Sequence, residues 1–261
     1  MTKYIVTNVY NGANLRATAS ESGTLLRNLP FGTSLDLVQD TGTKWKQVRV
    51  IQSGPAVTGF VSDVNLTLAK SEAIVRLIAA AAFYWELFDR GAGTEDVQPF
   101  KAEVLKMWDE LGMGGPPNGN TSHPDWPWSA AGMCAFIRRA GGYAGFKPST
   151  KHARYINDSI VKMKAHQAAQ FWGFRINEKK PEVGDLIAQW RVTRIDYDFA
   201  ATHADFSSHT DVVCQVLSDS VRAIGANVPT NTVGVKVYRL NAQGFLTGQR
   251  NEIAIMKNMA E

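Results

Sequence analysis

The chain is 261 residues long, and an apolar share of 44% with a charged share of 20% excludes wholesale disorder. Its 28 Lys and Arg against 24 Asp and Glu leave a net charge of +4. That excess is scattered rather than clustered, so no nucleic-acid partner is expected, only a mild attraction to anionic surfaces.

Up to Leu68 the sequence reads as short β-rich runs: Tyr4 to Val9, Leu25 to Leu29, Ser34 to Gln39, Trp45 to Ile51 and Thr58 to Val61. Turn signals separate them at Asn11-Gly12, Ser22-Gly23, Phe31-Gly32, Thr41-Gly42 and Ser53-Gly54-Pro55. Five short strands without helical period predict a small all-β barrel. Its motifs are Asn14-Leu15-Arg16, Leu29-Pro30-Phe31-Gly32-Thr33, Trp45-Lys46-Gln47-Val48 and Gly59-Phe60-Val61. In that combination residues 1–68 resemble a bacterial SH3-type domain. The resemblance implies either a cell-wall-binding unit or a plain spacer.

From Ala69 the period changes. Ile74, Leu77, Ile78, Ala81, Ala82, Trp85 and Phe88 recur at three- and four-residue steps, which predicts an amphipathic helix stopped by Gly91 and Gly93. Arg76 and Glu86 interrupt this most apolar stretch, and no membrane span is expected. A second helix carries Val104, Leu105, Met107, Trp108 and Leu111; a Gly/Pro/Asn-rich loop then runs from Gly112 to Pro127. Pro127 and Ser129 are helix-start residues, and Gly141-Gly142 is a stop. The short Ala-rich helix between them can lie close against a sheet. A nucleophile at its start would meet unsatisfied backbone N–H groups and the positive end of the helix dipole.

Five strands are expected beyond it. Pro181 to Ile187 turns into the first, His209 stands at the mouth of the second, and Val221 to Val228 forms the third, ending in the polar Asn227. Val233 to Leu240 and a run near Ile253 close the set. Asp185 reads as a turn cap.

The order of helix nucleophile, strand histidine and next-strand polar residue resembles the papain-like CHAP and NlpC-type amidase/peptidase superfamily. It is carried by Trp128-Ser129-Ala130-Ala131, Gly184-Asp185-Leu186, Ser208-His209-Thr210-Asp211-Val212-Val213 and Gly225-Ala226-Asn227. The region also resembles an uncharacterised bacterial branch with Ser at the nucleophile position. The resemblance implies that residues 69–261 form an α+β papain-like domain with a central antiparallel sheet. It implies a cell-wall (peptidoglycan) amidase or endopeptidase with a catalytic Ser129, His209 as base and Asn227 orienting its ring, and no cofactor. The partner would be peptidoglycan, or a wall peptide or glycan. Two alternatives stay open: a catalytically inactive binding protein on the same scaffold, and an antibacterial effector or phage lysis protein.

Cys134 is the rival nucleophile, but five residues along a helix turn it about 140° away from Ser129. Both Cys134 and Cys214 read as buried thiols, too few for a disulfide framework. His123, Trp126, Trp128 and Asp211 are candidates for the cleft. His152 and His166 fall on polar helical stretches and read as surface residues. His203, Asp205, His209 and Asp211 cluster locally without a standard zinc spacing, so no metal site is expected. The first residues lack the apolar core of a secretory signal. The chain is therefore expected to be made in the cytoplasm and delivered to the periplasm or wall by another route.

Overall fold

The computed structural model describes every residue except 1, 51–54, 113, 229 and 261. The strand end expected at Ile51 and the Ser53-Gly54 part of a turn lie outside the described residues.

The strand-rich start of the chain folds into one antiparallel sheet of seven strands. These are β1 (Lys3–Val6), β2 (Ala13–Arg16), β3 (Leu25–Leu29), β4 (Ser34–Asp40), β5 (Trp45–Val50), β6 (Val57–Ser62) and β7 (Leu66–Leu68), in the order β3-β2-β6-β5-β4-β1-β7. The two strands beyond the five expected, β2 and β7, have four and three residues, too few to display a period. Alternate positions point inward, so that Val6, Leu15, Leu29, Leu35, Val48, Val50 and Val61 form a small core.

Among the described residues five α-helices follow: α1 (Glu72–Leu87), α2 (Phe100–Asp109), α3 (Ser129–Ala140), α4 (His152–Lys164) and α5 (Tyr197–Thr202). Ser71 caps α1 by accepting the Ile74 N–H at 3.3 Å. The apolar stripe of α1 faces two ways. Ile5 of β1, with Val9 and Phe31 of the neighbouring turns, shares one buried cluster with it and with α3. Gly32 makes this contact, because a Cβ there would lie 2.6 Å from the Ala82 methyl, and its φ of +81° is one that side chains resist. None of the described helices is long and apolar enough to cross a membrane.

The second sheet has six antiparallel strands: β8 (Phe171–Phe174), β9 (Leu186–Trp190), β10 (Ser208–Val216), β11 (Ser220–Ala226), β12 (Val233–Arg239) and β13 (Glu252–Asn258), ordered β12-β11-β10-β9-β13-β8. The molecule is thus mixed α/β with two antiparallel sheets. Strand alternation divides the second sheet into two faces. Leu186, Ala188, Val212, Cys214, Ile224 and Ala226 pack against the helices, whereas Ile187, Val213, Val221, Ala223, Tyr238 and Ile255 form a separate cluster behind. That division decides where the polar groups of β10 go.

Candidate active site

Ser129 opens α3, and its backbone is fixed from both sides. The preceding Trp128 is fully buried, stacks on Phe88 with centroids 5.5 Å apart, and donates its indole N–H to Glu95. One turn later, Gly132 lets the helix touch the sheet, since a Cβ there would come within 2.3 Å of the Ala226 methyl. Ser129 itself is half-buried. The backbone N–H groups of this first turn have no partner within the helix.

The imidazole that meets Ser129 is His152, the first residue of α4, with Nε2 2.8 Å from the serine Oγ. Its other nitrogen, Nδ1, lies 2.9 Å from Thr210 Oγ1 and also contacts the Tyr155 hydroxyl. Tyr155 and Thr210 are themselves 3.3 Å apart. When Nδ1–H is donated to one of these hydroxyl oxygens, Nε2 keeps its lone pair and accepts the Ser129 proton. Burial holds His152 well below its ordinary value of 6.5, helped by His209, Arg191 and Lys236 and opposed by Asp211. The ring is therefore neutral throughout the neutral range. Burial likewise pushes the Tyr155 hydroxyl well above its ordinary range, so it stays a protonated hydrogen-bonding group.

Behind the sheet a second polar cluster is assembled from alternate residues. His209 Nε2 lies 2.7 Å from Asp211 Oδ1, and Asp211 Oδ2 pairs with Lys236 Nζ at 2.6 Å while accepting the Tyr238 O–H. Lys236 also donates to Gln189 Oε1 at 2.8 Å, and the Tyr238 hydroxyl oxygen lies 2.9 Å from the same atom. Burial would raise the Asp211 carboxyl, but the adjacent His209 and Lys236 hold it far below the usual carboxylate range. Burial lowers His209 and Lys236, each partly restored by Asp211. Gly225 on β11 leaves the room for this cluster, because a Cβ there would fall 1.7 Å from Asp211 Oδ1. The two clusters meet at the histidines, whose ring centroids are 5.1 Å apart.

Several sequence expectations are corrected here. His209 does not serve Ser129, because alternation along β10 sends Thr210 to the helical face and His209 with Asp211 to the other. Asn227 does not orient His209; it follows the end of β11 with a φ of +60° and lines a cavity with Arg191 and Arg250, while Asp211 takes His209 Nε2. His152 is not a surface residue but 4% exposed. The signal that marks it is its place in the buried stripe of α4, with Tyr155, Ile156, Ser159 and Ile160. Trp128 is core rather than cleft wall. Trp126 is partly buried against Trp108, and His123 accepts the Asp125 N–H within the loop.

Cys134 is buried, its thiol reaches the Ser149 carbonyl at 3.5 Å, and burial pushes it up to about 11. A thiol so protonated is a poor nucleophile. Cys214 is buried on the helical face of β10, and burial raises it too. The local His/Asp cluster separates: His203 stacks on Phe199, Asp205 pairs with Lys151 at 2.7 Å, and Asp211 belongs to the inner network. Asp185 accepts the N–H groups of Glu182 and Asn258, tying its turn to β13.

A family model described as "Uncharacterized protein conserved in bacteria (DUF2272)" matches residues 90–258. The match spans more than half of the chain, and the chain belongs to that family. No curated protein matches it. Among solved structures, NlpC2 from Trichomonas vaginalis is similar at 13% identity and a TM-score of 0.27, over 98% of this chain and 71% of that one. NlpC1 from the same organism is similar at 14% identity and a TM-score of 0.21, over 97% and 69%. This is a distant likeness, and no residue of the site is argued from it.

Proposed function

We propose that the protein is a hydrolase that cuts an amide bond by acyl transfer through Ser129. The observation that carries this reading is the 2.8 Å contact between Ser129 Oγ and His152 Nε2 at the start of α3. His152 takes the hydroxyl proton as Ser129 Oγ bonds to the substrate carbonyl carbon. The same proton then passes to the leaving amine as the C–N bond breaks, and water, deprotonated by His152, releases the acyl group. The first-turn N–H groups of α3 are placed to receive the developing oxyanion. Thr210 and Tyr155 fix the imidazole through Nδ1, and the cluster around Asp211 supports it from behind.

In this reading residues 1–68 are an SH3-like wall-binding unit and residues 69–261 a papain-like amidase or peptidase unit acting on peptidoglycan. The sequence motifs of the first sheet and the chain's net positive charge support that assignment. Tethering raises the local substrate concentration without new contacts at the cleft.

The test is incubation of the full chain with purified peptidoglycan, followed by measurement of newly released amino termini. Release is expected to fall about a thousandfold or more in Ser129→Ala and to persist in Cys134→Ser. A dead Cys134→Ser alongside an active Ser129→Ala overturns the assignment. Sedimentation with the wall without any release by the wild type replaces hydrolysis with binding alone.

A further inference from the structure

A cavity of about 320 Å³ opens beside the inner polar cluster, and three cationic side chains line it: Arg191, Lys236 and Arg250. Gln189, Asn227 and Asn251 add carboxamide groups to the same walls. The lining holds no acidic residue. Lys236 is committed to Asp211, but among the described residues neither guanidinium is held in an ion pair. Two carboxylates approach from behind. Asp211 is saturated by His209, Lys236 and Tyr238; Glu252 accepts the Arg250 backbone N–H at 2.6 Å, and burial raises its carboxyl while Arg250 and Lys236 lower it. The cavity thus presents two guanidinium groups outside any ion pair among the described residues, together with neutral amide donors. A planar guanidinium pair with flanking amides suits a carboxylate better than any neutral group.

Its place ties it to the dyad. Asn227 on its rim directly follows Ala226, the residue against which Gly132 packs one turn after Ser129. Lys236 on its inner wall leads through Asp211 and His209 to the ring of His152.

We propose that this cavity is an anion subsite of the Ser129–His152 site, holding a carboxylate of the substrate through Arg191 and Arg250 with Asn227 at its rim. The substrate class it selects is an acidic peptide, one with a free carboxylate close to the scissile bond. This assignment of class rests on the proposed hydrolase reading; the binding of a carboxylate does not.

The experiment uses the full chain carrying Ser129→Ala, labelled with nitrogen-15 and titrated with N-acetyl-dialanine, with its C-terminal amide, and with inorganic phosphate. The free acid is expected to saturate the guanidinium and carboxamide signals of Arg191, Arg250 and Asn227, at least about tenfold more tightly than the amide. Arg191→Gln and Arg250→Gln, both at exposed positions that leave the core intact, are each expected to weaken the acid about tenfold and leave the amide unchanged. Equal binding of acid and amide, or shifts confined to other residues, overturns the subsite. Phosphate displacing the acid at lower concentration than the acid itself requires overturns the carboxylate assignment. An acid-selective site in a protein that releases no amino termini from peptidoglycan leaves the subsite standing and removes the hydrolase. Normal release with no acid preference does the reverse.

Discussion

The two faces of the six-stranded sheet hold polar clusters of opposite character, whose histidine rings lie 5.1 Å apart. On the helical face stand Ser129, His152, Thr210 and Tyr155, all neutral, linked by hydroxyl and imidazole groups that can each reverse donor and acceptor roles. On the other face stand His209, Asp211, Lys236, Tyr238 and Gln189, where a buried carboxylate fixes the direction of every bond around it. A neutral, reversible chain ending at a half-exposed hydroxyl is suited to moving a proton. A buried ion pair with its lone pairs filled is suited to holding shape, because losing one partner strands the other charge in a low-dielectric interior. Two histidines adjacent in space thus carry different duties, and the difference lies in their neighbours rather than in the rings.

Exchanging the histidines breaks this comparison most directly. His152→Gln is expected to lower peptidoglycan hydrolysis about a thousandfold with an unchanged far-ultraviolet spectrum and a melting temperature within a few degrees of wild type. His209→Gln is expected to cost stability first, with the folded fraction still cleaving. Full activity in His152→Gln and a well-folded but inert His209→Gln would invert the roles of the two faces.

The next effect falls on stability alone. Asp211→Asn leaves Lys236 buried without its counter-charge, a loss on the order of 3–5 kcal/mol when one partner of a buried pair is removed. The lower urea midpoint that this implies is checked by equilibrium denaturation, and a double variant with Lys236→Met is expected to recover part of it. A midpoint unaffected by Asp211→Asn would mean that the inner cluster is wetter and looser than its geometry indicates.

Much of this arrangement could be read from the sequence, and the part that could not has a physical cause. The runs from Leu25 to Val61 and the apolar spacing from Ile74 to Phe88 announced strands and a helix because their periods are long enough to be unambiguous. Ser129 was marked by the helix-start chemistry around Pro127 and by its resemblance to a nucleophile position. The partner was missed because His152 begins a helix whose apolar stripe is diluted by Arg154, Asn157, Asp158 and Lys162, so its burial shows only when Tyr155, Ile156, Ser159 and Ile160 are counted on the same face. The face that His209 takes is not legible in the sequence, because a strand's alternation gives two classes of residue without saying which class meets the helices. Only Val212 and Cys214, packed with α3, settle that register. The β8 strand has four residues and α5 six, and neither is long enough to declare a period.

The smallest expected effect is the response to acid, and it separates the two faces by what is measured. In the proposed reaction His152 works as a base only while neutral, and its burial keeps it neutral to well below 6.5. The rate constant kcat/KM is therefore expected to stay level from pH 8 down to 6.5 and to fall only on the acid side of that value; a midpoint at or above 6.5 would mean that the ring is solvated and the dyad misassigned. Stability follows a different balance. Below 6.5 the unfolded chain takes up protons that the buried His152 and His209 refuse, so these two groups make the fold less stable as the pH falls. Asp185 opposes them, because burial pushes its carboxyl up to about 6 and the native state gains a proton there before the unfolded chain does. Glu95 and Glu252, also raised by burial, act in the same direction as Asp185. Urea midpoints are expected to change only modestly between pH 6.5 and 4.5. They then drop once the pH passes below 3.8, the ordinary value of Asp211, where the unfolded carboxyl is protonated and the native one is still held ionised. A sharp loss of stability already at pH 6, with kcat/KM intact, would show that the imidazoles dominate over the raised carboxyls and that the inner face is the acid-sensitive part of the fold.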